Sequence, residues 1–366
     1  MATLTETAIV TRKAIKFGGV AFVAITIMWF VGGAAWKYYQ YLNPPPLPIP
    51  TQDFGPLPEI SFPKEISRPK MTLELPTGVF PKFADRGKIF VAPTKRSGFL
   101  DPDRALETAR ALGFLFKPDQ PTETEYIFSN QDILQSKLVM DTVSGHFKLT
   151  RNWQNDPSLL ASTSFLSDQQ VTNTAATFLR RANLMFDDVS NENKVTYLKA
   201  EAGQLVQTIS LSEADFVQVD FFRNSLDEID NDTKKVVSSF GFFRPNPDYG
   251  LIRVIVSSSK DINNQVILVD YNYTRVDYLS VGTYPIKSPQ FAWQELSTGG
   301  GFVTAKYNQQ LPVVVRRVML GYFDSEAVQQ YAMPIYIFLG DGGFTAYVSA
   351  VDDTSITKKS SGKPSL

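Results

Sequence analysis

Residues 167–182, SDQQVTNTAATFLRRA, together with VTYLKA (195–200), QLVQTISL (204–211) and FVQVDFFR (216–223), decide the fold class. Ser167 and Gln170 have capping-box spacing, and Val171, Ala175, Phe178, Leu179 and Ala182 recur at helical period, so this segment is a helix with one apolar stripe. The runs after it change to a period of two. Val217, Val219 and Phe221 take one face of a strand and Gln218, Asp220 and Phe222 the other, while Glu201-Ala202-Gly203 is a hairpin turn between the preceding pair. One helix followed by strands with short connections predicts an antiparallel sheet covered by a helix, because parallel crossovers need a dozen residues or more.

The same pattern is found on either side. Asp101 as N-cap, Pro102 in first position, a stripe of Ala105, Leu106, Ala109 and Leu112 and a stop at Gly113 predict an earlier helix, followed by strands at 126–129, 138–143 and 147–153 with a turn at Ser144-Gly145. Later, strands at 251–258 and 265–278, turned at Asn263-Asn264, precede a helix over 288–296. Strands at 313–322, 333–339 and 344–351 follow, the last two joined by Gly340-Asp341-Gly342-Gly343. The predicted fold is α+β, with tandem antiparallel-sheet modules at 71–160, 161–245 and 246–352, each packed by one helix and together able to fold without the residues before them.

Ahead of the modules, residues 17–36 form a charge-free run of twenty residues, enough at about 1.5 Å per residue to cross the roughly 30 Å hydrocarbon core of a bilayer. A single transmembrane helix is predicted. Arg12, Lys13 and Lys16 precede it and only Lys37 follows closely, which places residues 1–16 in the cytoplasm and the rest outside. Trp36, Tyr38, Tyr39 and Tyr41 cluster where the helix leaves the membrane. The run exceeds the usual 7–15 apolar residues of a cleaved signal, so it reads as an uncleaved signal anchor, with cleavage near Gly33-Ala34-Ala35 the rival. Nine prolines between Pro44 and Pro69 predict an extended stalk over 37–70, and the polar residues 353–366 a disordered tail.

Composition removes much chemistry. Lys+Arg 36 against Asp+Glu 37 leaves a net charge of −1, no general attraction for nucleic acid; with no cysteine and one histidine, thiolate, Fe–S and His-rich metal sites are excluded. No cofactor is expected. Each remaining motif has a plain structural reading. Ser257-Ser258-Ser259-Lys260 matches S-x-x-K but leaves a strand for a turn, so no helical turn joins Ser257 to Lys260. Gly299-Gly300-Gly301 follows a helix instead of preceding one, unlike a phosphate cradle. Asp227, Glu228, Asp230 and Asp232 lack the glycine and final glutamate of an EF-hand and read as a solvated loop. His146 beside Gly145 has no companion ligand and reads as edge decoration, and Asn231-Asp232-Thr233 and Asn272-Tyr273-Thr274 are chance-frequency sequons. Tyr271, Tyr273, Arg275 and Asp277 share one strand face by alternation, which reads as cross-strand packing or as an exposed face for protein or glycan.

Tyr284-Pro285-Ile286-Lys287-Ser288-Pro289, Ala292-Trp293-Gln294-Glu295-Leu296, Leu320-Gly321-Tyr322-Phe323, Gln330-Tyr331, Pro334-Ile335-Tyr336-Ile337-Phe338 and Ala346-Tyr347-Val348-Ser349-Ala350-Val351, in that order, resemble the C-terminal module of bacterial YycH/YycI and PepSY-like envelope proteins. The resemblance covers residues 280–351, and 100–225 more loosely. It implies a single-pass, N-in protein that is not an enzyme and acts through contacts with other membrane proteins in the cell envelope; a cell-wall glycan-binding protein and an envelope hydrolase are the alternatives. It also implies that Trp293 and Leu296 pack on a sheet face built by Leu320, Tyr322, Ile335, Ile337, Tyr347 and Val351.

Overall fold

The computed structural model describes residues 4–43, 49–93, 98, 100–161, 165, 167–230, 233–304 and 312–357. It divides into two compact units, residues 1–49 and residues 50–366.

The first unit is a helix, Leu4–Leu42. Its stretch Thr11–Gln40, with mean hydropathy 2.0, is the one helix among the described residues long and apolar enough to cross a membrane. A backbone in hydrocarbon has no water to bond, so helical pairing is what an apolar run of this length adopts there. Trp36 and Tyr39, one turn apart near its end, stack at 6.0 Å between ring centres.

The second unit is α+β and mostly sheet. Its largest sheet has eight antiparallel strands, in the order Glu125–Ser129, Lys137–Asp141, Phe147–Thr150, Val266–Tyr271, Ile252–Ser257, Phe216–Arg223, Val189–Glu201, Gln204–Thr208. Helices Asp101–Ala111 and Asp168–Arg181 cover the same face: Ala105, Ala109 and Leu112 of the first and Val171, Ala175 and Leu179 of the second share one core with Leu138, Leu149, Val219 and Val254. Ser167 caps the second helix by accepting from the Gln170 amide at 3.2 Å. The first begins one residue earlier than expected, with Leu100 at the cap position; Asp101 lies inside the helix, accepting from the Gly98 amide at 2.7 Å and pairing with Arg104. The hairpin turn at 202–203 has positive φ at both residues, 50° at Ala202 and 80° at Gly203, the hand that matches strand twist.

The expected boundaries at 160/161 and 245/246 are not boundaries between sheets. The hairpin formed by Ile252–Ser257 and Val266–Tyr271 lies between strands of the two preceding stretches and joins them. The physical reason is burial on both faces: Val254, Ile255, Val256, Val266, Ile267 and Val269 are all buried, and such a pair needs neighbours on both edges as well as cover above and below.

A six-stranded sheet contains Phe242–Phe243, Val313–Phe323, Pro334–Gly340, Thr345–Ser349, Phe302–Val303 and, paired in parallel with Val313–Phe323, Met71–Leu73. Helix Pro289–Ser297, capped by Ser288, packs on one face. The expected register on this sheet is corrected by one residue. Ala292, Trp293 and Leu296 meet Tyr336, Phe338, Ala346, Val348 and Ala350, with Leu320 at the margin, whereas Ile335, Ile337, Tyr347 and Val351 face the opposite side and Tyr322 belongs to a third cluster. Strand 334–338 is buried at every position, so alternation in the sequence cannot tell its faces apart.

The opposite side is covered by residues expected to be a stalk. Residues 44–48 lie outside the described residues, but from Pro50 the chain is a strap on the second unit. The Phe54 amide donates to the Tyr284 hydroxyl at 2.8 Å, that hydroxyl donates to the Gly55 carbonyl at 2.9 Å, and Arg68 donates to the carbonyls of Leu296 and Gly300 at 2.7 and 2.9 Å. Leu57 and Ile60 are buried. Proline keeps this chain extended, yet the apolar residues between the prolines still find the exposed side of the sheet. Leu57–Pro58 pairs in parallel with Ile356–Thr357, so residues 353–357 of the expected disordered tail are ordered, and 358–366 lie outside the described residues. Arg86–Val91, between Asp277–Pro285 and Tyr331–Ala332, forms a further three-stranded sheet.

Candidate binding cleft

The stretch 271–277 is where sheet, helices and the six-stranded layer come together, and its residues do not share one face. Tyr271 ends a strand opposite Phe147, and their rings stack at 4.9 Å and 10°. Regular strand geometry then stops until Asp277, so the two-residue alternation that would group the four side chains is lost. Tyr273 turns inward: its hydroxyl donates to Asp188 Oδ1 at 2.7 Å, its ring stacks on Phe186 at 4.6 Å, and the Arg223 guanidinium lies 5.1 Å from its centre. Burial raises the pKa of both tyrosines far above the ordinary phenol value. Arg275 is exposed, and the Asp277 carboxylate accepts from Ser280 Oγ and the Leu279 amide at 2.7 and 3.0 Å. An exposed Tyr-Tyr-Arg-Asp face is therefore corrected to two packed rings, one turn carboxylate and one exposed guanidinium, Arg275, whose charge also favours the Asp277 carboxylate.

Behind the rings sits Arg223, its side chain fully buried. It donates to Asp324 Oδ2 at 3.0 Å, to Asp188 and to the Thr274 carbonyl at 2.7 Å, and lies 5.2 Å from the centre of the Phe242 ring. Burial opposes its charge, but Asp324 and Asp188 outweigh burial and hold its pKa above the ordinary value. The ion cluster ties the eight-stranded sheet to the end of Val313–Phe323. A sequence signal for it exists: Arg223 has the parity of Val217, Val219 and Phe221, a charge in phase with an apolar face. On the other face Asp220 is buried and accepts from the Gly250 amide at 2.9 Å and from Gln218 Nε2 at 2.6 Å.

In front of the rings is a cleft of about 920 Å³. Helix Asp101–Ala111 lines it with Arg104, Glu107 and Thr108, the turn after Lys137–Asp141 with residues 142–145, and the exit of the second helix with Arg181 and residues 182–184; Met140 and Tyr271 come from the sheet and Tyr273, Thr274 and Arg275 from the strand exit. Asp141 accepts from the Ser144 amide and hydroxyl, both at 2.7 Å; burial raises its pKa, but the Ser144 bonds prevail and the net shift is downward. His146, half-buried beside this turn and not mere edge decoration, shares a 3.0 Å hydrogen bond between Nε2 and Thr274 Oγ1, and burial pushes its pKa down.

The other motifs stand apart from the cleft. Ser257 is buried and donates to the Asn264 carbonyl at 2.7 Å, while Lys260 is exposed. The Gly300 amide donates to Glu295 O at 2.8 Å and its carbonyl accepts from Arg68, so the glycine run closes the helix. Asp227 and Glu228 lie in a strand, Leu226–Ile229, paired with Val236–Phe240, and not in a loop; Glu228 accepts from Lys88 at 2.9 Å, and Asn231 and Asp232 lie outside the described residues. Asn272 Nδ2 donates to Asp270 at 2.7 Å. Among the described residues no three His, Asp or Glu side chains group as a metal site.

No protein-family model and no curated protein matches the chain. A crystal structure of an uncharacterized protein from Eubacterium rectale matches with a TM-score of 0.39 and 9% identity, over 73% of this chain and 84% of that one.

Proposed function

We propose that this is a single-pass membrane protein of the bacterial cell envelope, with residues 1–16 cytoplasmic and the second unit outside, which acts without catalysis by contacting another envelope or membrane protein in a regulatory or assembly role. The observation that carries the reading is the N-terminal helix with its charge-free run: Arg12, Lys13 and Lys16 lie before it and Lys37 after it. The likeness of residues 280–351 to YycH/YycI and PepSY-like proteins supports the same role. Glycan binding is less favoured, since the Tyr271 and Tyr273 rings that would stack on sugar are stacked on Phe147 and Phe186. Hydrolysis is less favoured because the Ser257 hydroxyl is committed to a backbone carbonyl.

Protease added to intact cells tests the topology: it should digest the second unit and spare residues 1–16, and protection of the second unit would overturn the reading. Crosslinking of the intact protein in its membrane tests the role, with a discrete protein adduct expected and glycan adducts alone counting against it.

A further inference from the structure

The eight-stranded sheet has two edges, and the fold treats them differently. Beside Glu125–Ser129 the backbone of Asp119 exchanges hydrogen bonds with Ile127 in both directions, at 2.8 and 2.9 Å, so that edge is covered. The other edge strand, Gln204–Thr208, pairs with Val189–Glu201 on its inner side, and among the described residues no segment pairs on its outer side. The two-residue turn at 202–203 makes Glu201 and Gln204 a hydrogen-bonded pair, so by alternation Gln204, Val206 and Thr208 bond inward while Leu205 and Gln207 turn their N–H and C=O groups outward. The Leu198 carbonyl fixes the same phase: it accepts from the Asp215 amide on the far side of its strand at 2.9 Å, away from Gln207 opposite it. A bare row of backbone groups is a template for another extended chain, and edges are ordinarily blunted by charge or proline. Residues 204–212, QLVQTISLS, carry neither. The nearest charges are engaged within the fold, Lys199 with Glu201 at 3.6 Å and Glu213 with Thr208 Oγ1 at 3.0 Å. Val206 is exposed, and Ile209, one residue past the strand, is 96% exposed.

The order of the side chains says which chain fits. Outward from Gln207 the residues match by chemistry in both directions: Val206 and Thr208 are β-branched, and Leu205 and Ile209 beyond them are apolar. We propose that this edge pairs with the same edge of a second copy, antiparallel about a two-fold axis at Gln207, so that the two sheets become continuous. In that register Gln207 exchanges its backbone hydrogen bonds with its own copy. On one face each Leu205 meets the other copy's Ile209 beside the two Gln207 amides, and on the other each Val206 meets Thr208. A residue on a two-fold axis faces itself, so a charge at the centre would repel its copy, and none is present. A foreign strand could use the backbone row equally well, but it would have no need of a pattern that reads alike in both directions.

The chain has no cysteine, so one introduced thiol is its only thiol. With the full chain in detergent and copper phenanthroline as oxidant, Gln207→Cys should crosslink into a dimer, because a hydrogen-bonded antiparallel pair holds its Cα atoms about 5.5 Å apart, within disulfide range. Ser129→Cys, on the covered edge, should stay monomeric. In sedimentation of the full chain, Gln207→Lys should weaken dimerisation at least about tenfold, and an equal mixture of Gln207→Lys with Gln207→Glu should restore it. Gln207 is exposed, so both variants should keep the thermal unfolding of the parent, measured in parallel. A photo-crosslinking residue at position 207 in intact cells should give the dimer as its adduct. Absence of the Gln207→Cys dimer, equal crosslinking at Ser129, or a dimer that Gln207→Lys leaves unchanged would each overturn the proposal. An adduct with a different protein in place of the dimer would assign the edge to a foreign strand and overturn it as well.

Discussion

In the six-stranded sheet the central strand Pro334–Gly340 is buried from 334 to 338, with helix Pro289–Ser297 on one side and the strap from Pro50 on the other; in the eight-stranded sheet the central strand Val266–Tyr271 ends at an open cleft backed by an ion cluster. Polar atoms in the first layer are internal fasteners: Tyr336 donates to the Lys287 carbonyl at 2.7 Å and Tyr347 to the Arg244 carbonyl at 2.9 Å. Polar atoms at the end of the second include the exposed guanidiniums of Arg181 and Arg275, which form no ion pair among the described residues. A sheet closed on both faces has its side chains consumed by packing, whereas the margin of the eight-stranded sheet is left partly uncovered.

This comparison is broken most directly by removing the strap. A chain cut to residues 71–352 loses the burial supplied by Phe54, Leu57, Ile60 and Phe62 and should be less stable than residues 50–357 by at least about 5 kcal/mol in urea unfolding, counting about 1.5–3 kcal/mol per large apolar side chain buried. Equal midpoints would mean that the six-stranded sheet does not need its second cover.

Arg223→Leu should cost about 3–5 kcal/mol, because Asp188 and Asp324 stay behind without their cation. Adding Asp188→Asn and Asp324→Asn should restore most of the loss; if it does not, the guanidinium matters through its contacts with Phe242 and Tyr273, not through charge. Trp293 is half-buried with its ring 5.7 Å from Phe338, so Trp293→Ala should cost about 1–2 kcal/mol, below the 3–5 kcal/mol typical of a fully buried aromatic. A loss as large as that of Phe338→Ala would mean that the helix is the main cover of the layer.

The smallest effect belongs to the cleft margin. Burial holds the His146 pKa below the ordinary value of about 6.5, so the folded chain binds this proton less readily than the unfolded chain. Its contribution to stability is therefore present above that value and is lost as pH falls below it. Denaturant midpoints measured at pH 7.5 and pH 5 should differ less in His146→Gln than in the parent, and an unchanged difference would place the titration elsewhere.

Helix stripes and hairpin turns were legible in the residues alone, since Ala105, Ala109, Val171, Ala175 and Leu179 do face the core and the turns at 202–203, 263–264 and 340–343 do join paired strands. The cleft was legible only in part: three of the four residues singled out at 271–277 line it, but as packed rings and a guanidinium of its wall. Arg181 and Glu107 gave no signal, because an exposed charge on a helix has the same pattern whether it faces solvent or a cleft.

Local periodicity and charge thus determined the apolar N-terminal helix, the Ser167 cap, the turns and the α+β class, because each depends on residues within a few positions of one another. Tertiary structure decided what lies far apart in sequence: the hairpin 252–271 joining two half-sheets, the proline-rich strap lying on the six-stranded layer, which face of 334–338 meets the helix, and Arg223 meeting Asp188 and Asp324. A strand buried on both faces has no polar side to mark its register, and a buried ion pair is specified only when both partners are brought together.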